Sequence, residues 1–110
     1  MSDRIKRNIP ILKAILSLGA KERKSFLAHS SEDFILSLCE LALNILKGNI
    51  PLKQSQYTKL KKHKKWIKLF ADKRTSVKKK RRVVQTGGAF ILPLIAAALP
   101  FITSLITGRK

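Results

Sequence analysis

One join constrains the rest of this chain. From Ala89 to Thr107 the sequence runs for 19 residues without a charge. Just before it stands an unbroken cationic run, Lys78-Lys79-Lys80-Arg81-Arg82, and Gly87-Gly88 lies between the two. An apolar stretch of ~18 residues is long enough for a helix to cross a bilayer. The residues that would form such a segment are Ala89, Phe90, Ile91, Leu92, Pro93, Leu94, Ile95, Leu99, Pro100, Phe101, Ile102, Leu105 and Ile106. Arg82 on one side and Arg109-Lys110 on the other would serve as interface anchors. Pro93 and Pro100 fall inside the stretch, and interior prolines are tolerated better in membrane helices than in water. Three fates are open to the segment: insertion in a membrane, packing as a helical hairpin or dimer in water, or removal as a tail.

The charge is as uneven as the hydropathy. Lys plus Arg number 24 against 6 acids in 110 residues, a formal net charge of +18. Up to Ile50 the balance is +3; from Pro51 onward it is +15, with Asp72 the single acid. Such an excess calls for a polyanionic partner, either nucleic acid or an anionic membrane surface. The hydrophobic share of 45% is too high for a disordered basic tail. The single cysteine, Cys39, excludes an intrachain disulfide and makes an intracellular setting the default. The opening residues lack a signal-peptide layout, since Lys13 interrupts their apolar pattern.

Helical periodicity runs through the first two thirds. Asn8-Ile9-Pro10 reads as a helix start, followed by Ile9, Leu12, Ile15 and Leu16 at helical spacing and a stop at Gly19. A short helix is expected over Lys21–Ala28, broken at His29-Ser30. Ser30 with Asp33 has the spacing of a capping box and opens the most apolar helix, whose Phe34, Ile35, Leu38, Leu41, Ala42, Ile45 and Leu46 fill one broad face. Lys47-Gly48 ends it. After an extended Ile50-Pro51-Leu52 connector, one long amphipathic helix is expected from Ser55 to Ala71. Its apolar stripe is Leu60, His63, Ile67, Phe70 and Ala71, with Trp66 at the border. Thr75 or Ser76 can cap a short cationic helix over Val77–Val84.

The lysines of the long helix carry the chemistry. A solvated lysine face usually interleaves Glu at i,i+4 spacing. Here no acid occurs between Lys53 and Ala71, so the like charges repel unless an anion neutralises them. The expected phosphate-binding set is Lys59, Lys61, Lys62, Lys64, Lys65, Lys68, Lys73, Arg74, Lys78, Lys79, Lys80, Arg81 and Arg82. Few side chains suited to reading base edges accompany them, so binding would be independent of sequence and sensitive to salt. Tyr57 and Trp66 could stack on bases or serve as core. Lys78–Arg82 also has the form of a nuclear-localisation signal.

Catalytic chemistry finds no support. His29 lies in a turn, His63 on an apolar stripe, and Cys39 within an apolar helix. Glu32 and Asp33 are explained as helix-start acids. No nucleophile–base pairing, metal-ligand spacing or phosphate-cradling glycine loop is present, so neither an enzyme nor a cofactor is expected.

The join resembles the precursor of the adenovirus core protein mu, on Arg81-Arg82, Gly87-Gly88 and Ile91-Leu92-Pro93-Leu94-Ile95-Ala96-Ala97-Ala98. The stretch Leu41–Gly88, with LALNILKGNIPL, is similar to a small protein of the Maverick/Polinton and adintovirus group of integrated elements. The resemblance implies a virion core protein that condenses double-stranded DNA and is cut by an adenain-type protease after Gly88, at the site Gly87-Gly88-Ala89. It also implies other capsid and core proteins as partners, and a location in the virion core and host nucleus. Three features depart from the family: lysine outnumbers arginine in the cationic tract, a helical domain precedes it, and Gln85 stands where the protease favours Met, Ile or Leu.

The expected architecture is all-α. A small helical bundle with a lysine-rich last helix occupies residues 1–72, a basic arm ending in Gly-Gly residues 73–88, and a hydrophobic helical tail residues 89–110. The expected function is sequence-independent binding and condensation of double-stranded DNA, or of another polyanion. The alternative is a cationic membrane-active protein that uses the amphipathic helix and the tail on anionic bilayers.

Overall fold

The computed structural model describes the backbone over residues 2–106, with side chains except at 85–88 and 106. Thr107, Arg109 and Lys110, expected as the end and flank of a membrane segment, lie outside the described residues, as does the Ile106 side chain. Among the described residues all regular structure is helical, as expected. The helices are α1 (Asp3–Ser17), α2 (Ala20–Ala28), α3 (Glu32–Leu46), α4 (Gln54–Lys61), α5 (Lys64–Ala71), α6 (Val77–Gly87) and α7 (Ile91–Ile106), with a 3-10 turn at Gly88–Phe90 joining the last two.

Helix α1 begins five residues before the expected Asn8 start. Ser2 caps it, its Oγ accepting from Ile5 N–H at 3.3 Å, and Asp3 adds a negative charge in the first turn. Asn8 is instead buried within the helix, where Nδ2 donates to Arg4 O at 2.8 Å and to Asp33 Oδ2 at 3.0 Å. Pro10 also sits inside the helix, on its exposed side. It offers no N–H to the Lys6 carbonyl one turn back. Gly19, expected as a stop, is the N-cap of α2, and Leu18 ends α1.

Helix α3 is the hub, packing against α1, α5, α6 and α7. Ser31 rather than Ser30 caps it, accepting from Phe34 N–H at 3.1 Å. Ser30 instead donates to Leu27 O at 2.9 Å, and Asp33 turns away to meet α1. Phe34, Ile35, Leu38, Leu41 and Ala42 are all buried, and Phe34 meets Phe26 of α2 edge-on with ring centres 5.8 Å apart. Gly48 closes the helix at φ +76, a conformation that costs other residues a Cβ–carbonyl clash.

The single helix expected over Ser55–Ala71 is two. Its axis breaks at Lys62-His63, where His63 N–H turns back to Leu60 O at 2.9 Å. The reason is packing: α4 lies on α7, whereas α5 lies on α3. One straight rod does not serve both. The expected stripe survives the break, with Leu60, Ile67, Phe70 and Ala71 buried.

The largest departure from expectation is at the apolar segment. It does not stand apart as a tail: α7 packs on α1, α3 and α4 and joins the same core as every other helix. Phe90, Ile91, Leu94, Ile95, Ala98 and Ile102 are fully buried. Phe90 meets Phe70 edge-on at 5.5 Å. Each of these phenylalanine, leucine and isoleucine side chains contributes roughly 1.5–3 kcal/mol by leaving water. The radius of gyration, 13.0 Å, is that of a compact chain of this length, which scaling places at about 13 Å. Pro93 lies in the first turn of α7, where a missing N–H breaks no helical bond, and Pro100 is exposed. Among the described residues no helix is long and apolar enough to cross a membrane.

Candidate nucleic-acid interface

The cationic surface is built on the outer faces of α4, α5 and α6 and on the loop between the last two. In α5, Ile67, Phe70 and Ala71 point inward, so helical geometry sends Lys64, Lys65 and Lys68 outward. Lys59 and Lys61 on α4 and Lys62 at the break are exposed as well. Lys73, Lys78, Lys79 and Arg82 are exposed too. The described ion pairs are Arg4–Asp33, Arg7–Asp33 and Arg74–Asp72, so none of them uses a lysine.

Helix polarity sharpens the concentration of charge. Neither α5 nor α6 has an acid in its first turn, which holds Lys64-Lys65 in α5 and Lys78-Lys79-Lys80 in α6. The positive end of a helix dipole disfavours cations there, and an oxyanion relieves both the dipole and the lysines. Of the two expected caps, Thr75 and Ser76, it is Ser76 that caps α6, accepting from Lys79 N–H at 3.1 Å.

Three members of the expected set are otherwise engaged. Lys80 is 3% exposed and belongs to the inner stripe of α6 with Val77 and Val84. Arg81 reaches the α2–α3 loop, where Nη2 donates to Ser30 O at 2.7 Å, and its Nε is buried with no hydrogen-bond partner. Arg74 is exposed, but its Nε and Nη2 grip Asp72 at 3.1 and 3.0 Å. That grip holds the Asp72 carboxyl below the ordinary carboxylate range. A uniform reading of Lys78–Arg82 misses these inward positions; the i,i+3,i+7 relation of Val77, Lys80 and Val84 is the signal that reveals them.

Tyr57 and Trp66 are both substantially exposed, at 53% and 36%. Tyr57 lies in a shallow groove with Leu46, Leu52, Lys61 and Lys64. Gly87 and Gly88 fall where α6 passes directly into the 3-10 turn, with no extended linker between them and α7, and Ala89 is exposed.

A second charged cluster was not foreseen. Asp33 accepts from Arg4 Nε at 3.1 Å, Arg7 Nη2 at 3.0 Å and Asn8 Nδ2 at 3.0 Å. Asn8 foremost, with the two arginines, holds the Asp33 carboxyl at about 2. Among the described residues no group of three or more His, Cys, Asp or Glu side chains could hold a metal ion. No family model, curated protein or solved structure matches the chain.

Proposed function

We propose that this protein binds double-stranded DNA without regard to sequence and condenses it, as a core protein of a virus or virus-like mobile element. The observation that carries the reading is the lysine surface. Lys59, Lys61, Lys62, Lys64, Lys65 and Lys68 are all exposed, and no described ion pair neutralises any of them. Such a surface is self-repelling in isolation and is stabilised by a rod of phosphates. Flexible ammonium groups act there as point charges, and few base-reading side chains stand among them. The resemblance of Arg81–Ala98 to the adenovirus mu precursor supports the same reading and suggests the virion as its setting.

The alternative use of the cations, on anionic bilayers, has lost its strongest feature. The apolar segment that would insert is occupied in the core through Leu94, Ile95 and Ile102. The test is binding of the full chain to random-sequence duplex DNA across a salt series, with anionic vesicles in parallel. A linear log K against log salt with a slope of about −5 or steeper, unchanged between sequences, is expected from several phosphates neutralised together. A flat response, or vesicle binding that exceeds duplex binding at every salt concentration, would overturn the reading.

A further inference from the structure

A cavity of about 430 Å³ opens between α3 and the start of α6. Its polar wall includes Arg4, Cys39, Glu40, Lys73, Ser76 and Lys80, and its apolar wall includes Leu36, Leu43 and Val77. Lys80 is the unusual member. It is 3% exposed, yet it belongs to none of the described ion pairs. An ammonium withdrawn from water is costly unless an anion meets it.

The surrounding acids do not fill that role. Asp72 lies within electrostatic reach of Lys80 but is gripped by Arg74. Glu40 accepts from Ser2 Oγ at 2.6 Å and forms no described ion pair. Lys80 is hydrogen-bonded instead to the Cys39 thiol. Burial raises the pKa of that thiol, and the Lys80 ammonium opposes the rise only in part. A largely protonated thiol is a weak counterpart for a cation.

We infer that the α3–α6 cavity is a binding site for a small phosphorylated organic anion. Lys80 and Lys73 outnumber Glu40 around it, Arg4 being already paired with Asp33, and the Ser76 hydroxyl adds a hydrogen-bonding group. A phosphoryl group satisfies such a set, with Lys80 as its buried contact. The apolar wall then accepts the organic body. The site is distinct from the lysine surface of α4 and α5: a phosphate held on a wide duplex cannot follow Lys80 inward.

The single cysteine makes the full wild-type chain its own reporter. Modification of Cys39 by methyl methanethiosulfonate is timed with and without phenyl phosphate, inorganic phosphate, benzyl alcohol and duplex DNA. Phenyl phosphate is expected to slow the reaction about tenfold at ten times its half-saturating concentration, by mass action. Inorganic phosphate should require a higher concentration, and benzyl alcohol and duplex DNA should give no protection. Lys80→Met should abolish the phenyl phosphate effect; Lys73→Gln, at the exposed rim, should weaken it even if the first variant fails to fold. Equal rates with and without phenyl phosphate would overturn the inference. So would protection that persists in both variants, or equal protection by benzyl alcohol or by DNA. The duplex salt series does not depend on Cys39, so the two readings fail separately.

Discussion

Asn8 donates through Nδ2 to Asp33 Oδ2 at 3.0 Å, and this hydrogen bond joins the middle of α1 to the first turn of α3. Arg4 and Arg7 close on the other carboxylate oxygen of the same residue. The hydrogen bonds of Asn8 and the arginines favour the ionised form, so the folded carboxyl titrates at about 2. An unfolded aspartate titrates near 3.9. The stabilisation from ionised Asp33 is therefore complete above pH ~4 and is lost as the pH falls toward the folded value. Asp33→Asn should lower Tm at pH 7. The gap between variant and wild type should narrow steadily from pH 4 to pH 2 in melts followed by circular dichroism. A gap that stays constant over that window would mean the ionised cluster contributes nothing.

The apolar segment is a structural helix in this fold. Leu94 and Ile95 are fully buried in it, so Leu94→Ala should cost about 2–5 kcal/mol in urea unfolding. A chain ended at Thr86 loses Phe90, Ile91, Leu94, Ile95 and Ile102 together and should show no cooperative transition. Binding experiments therefore require the full chain.

At Gly48 the cost of a side chain is conformational alone. The backbone sits at φ +76, and a Cβ there would meet nothing within 4 Å. Gly48→Ala should destabilise by about 1–2 kcal/mol, the cost of the left-handed region, with the denaturant slope unchanged.

Pro10 gives the opposite sign. It lies inside α1 on the exposed side, so an alanine there can restore the bond to the Lys6 carbonyl without filling any space in the core. Pro10→Ala should raise the unfolding free energy, by at most about 3 kcal/mol.

The lysine surface can be separated from the buried lysine by its salt dependence. Replacing Lys61, Lys64, Lys65 and Lys68 by Gln should flatten the duplex-DNA slope by about 0.9 for every phosphate that is no longer neutralised. These residues are exposed, so Tm should move little. Lys80→Met should leave the slope where it was.

Most of the helical elements were legible because their signals are local. The acids that open α3, Gly48 and the periodicity of Phe34–Leu46 each act within a turn or two of chain. The positions that escaped depend on distant residues. Asn8 looks like a cap until Asp33, 25 residues away, is brought beside it. The break at Lys62-His63 has no glycine or proline to announce it and follows from α4 and α5 lying on different partners. Among the expected phosphate ligands, the lysines of α4 and α5 were correctly read as outward because they alternate with apolar residues. Lys80 and Arg81 were hidden inside a run of one charge, where composition masks the helical phase. The apolar segment could not be assigned from sequence, since a bundle's central helix and a membrane helix share the same composition over so short a length.

Helix α7 also fixes when the protein can fold. It is synthesised roughly ninety residues after α1, which at ~5–20 residues per second is a wait of about 5–20 seconds. Until it arrives, the faces of α1 and α3 that it covers remain open to other molecules. The nascent chain is thus most adhesive just before α7 emerges, and its lysine-rich helices emerge during that interval. Like charges on neighbouring unfinished chains then keep apart the apolar faces that α7 has not yet sealed.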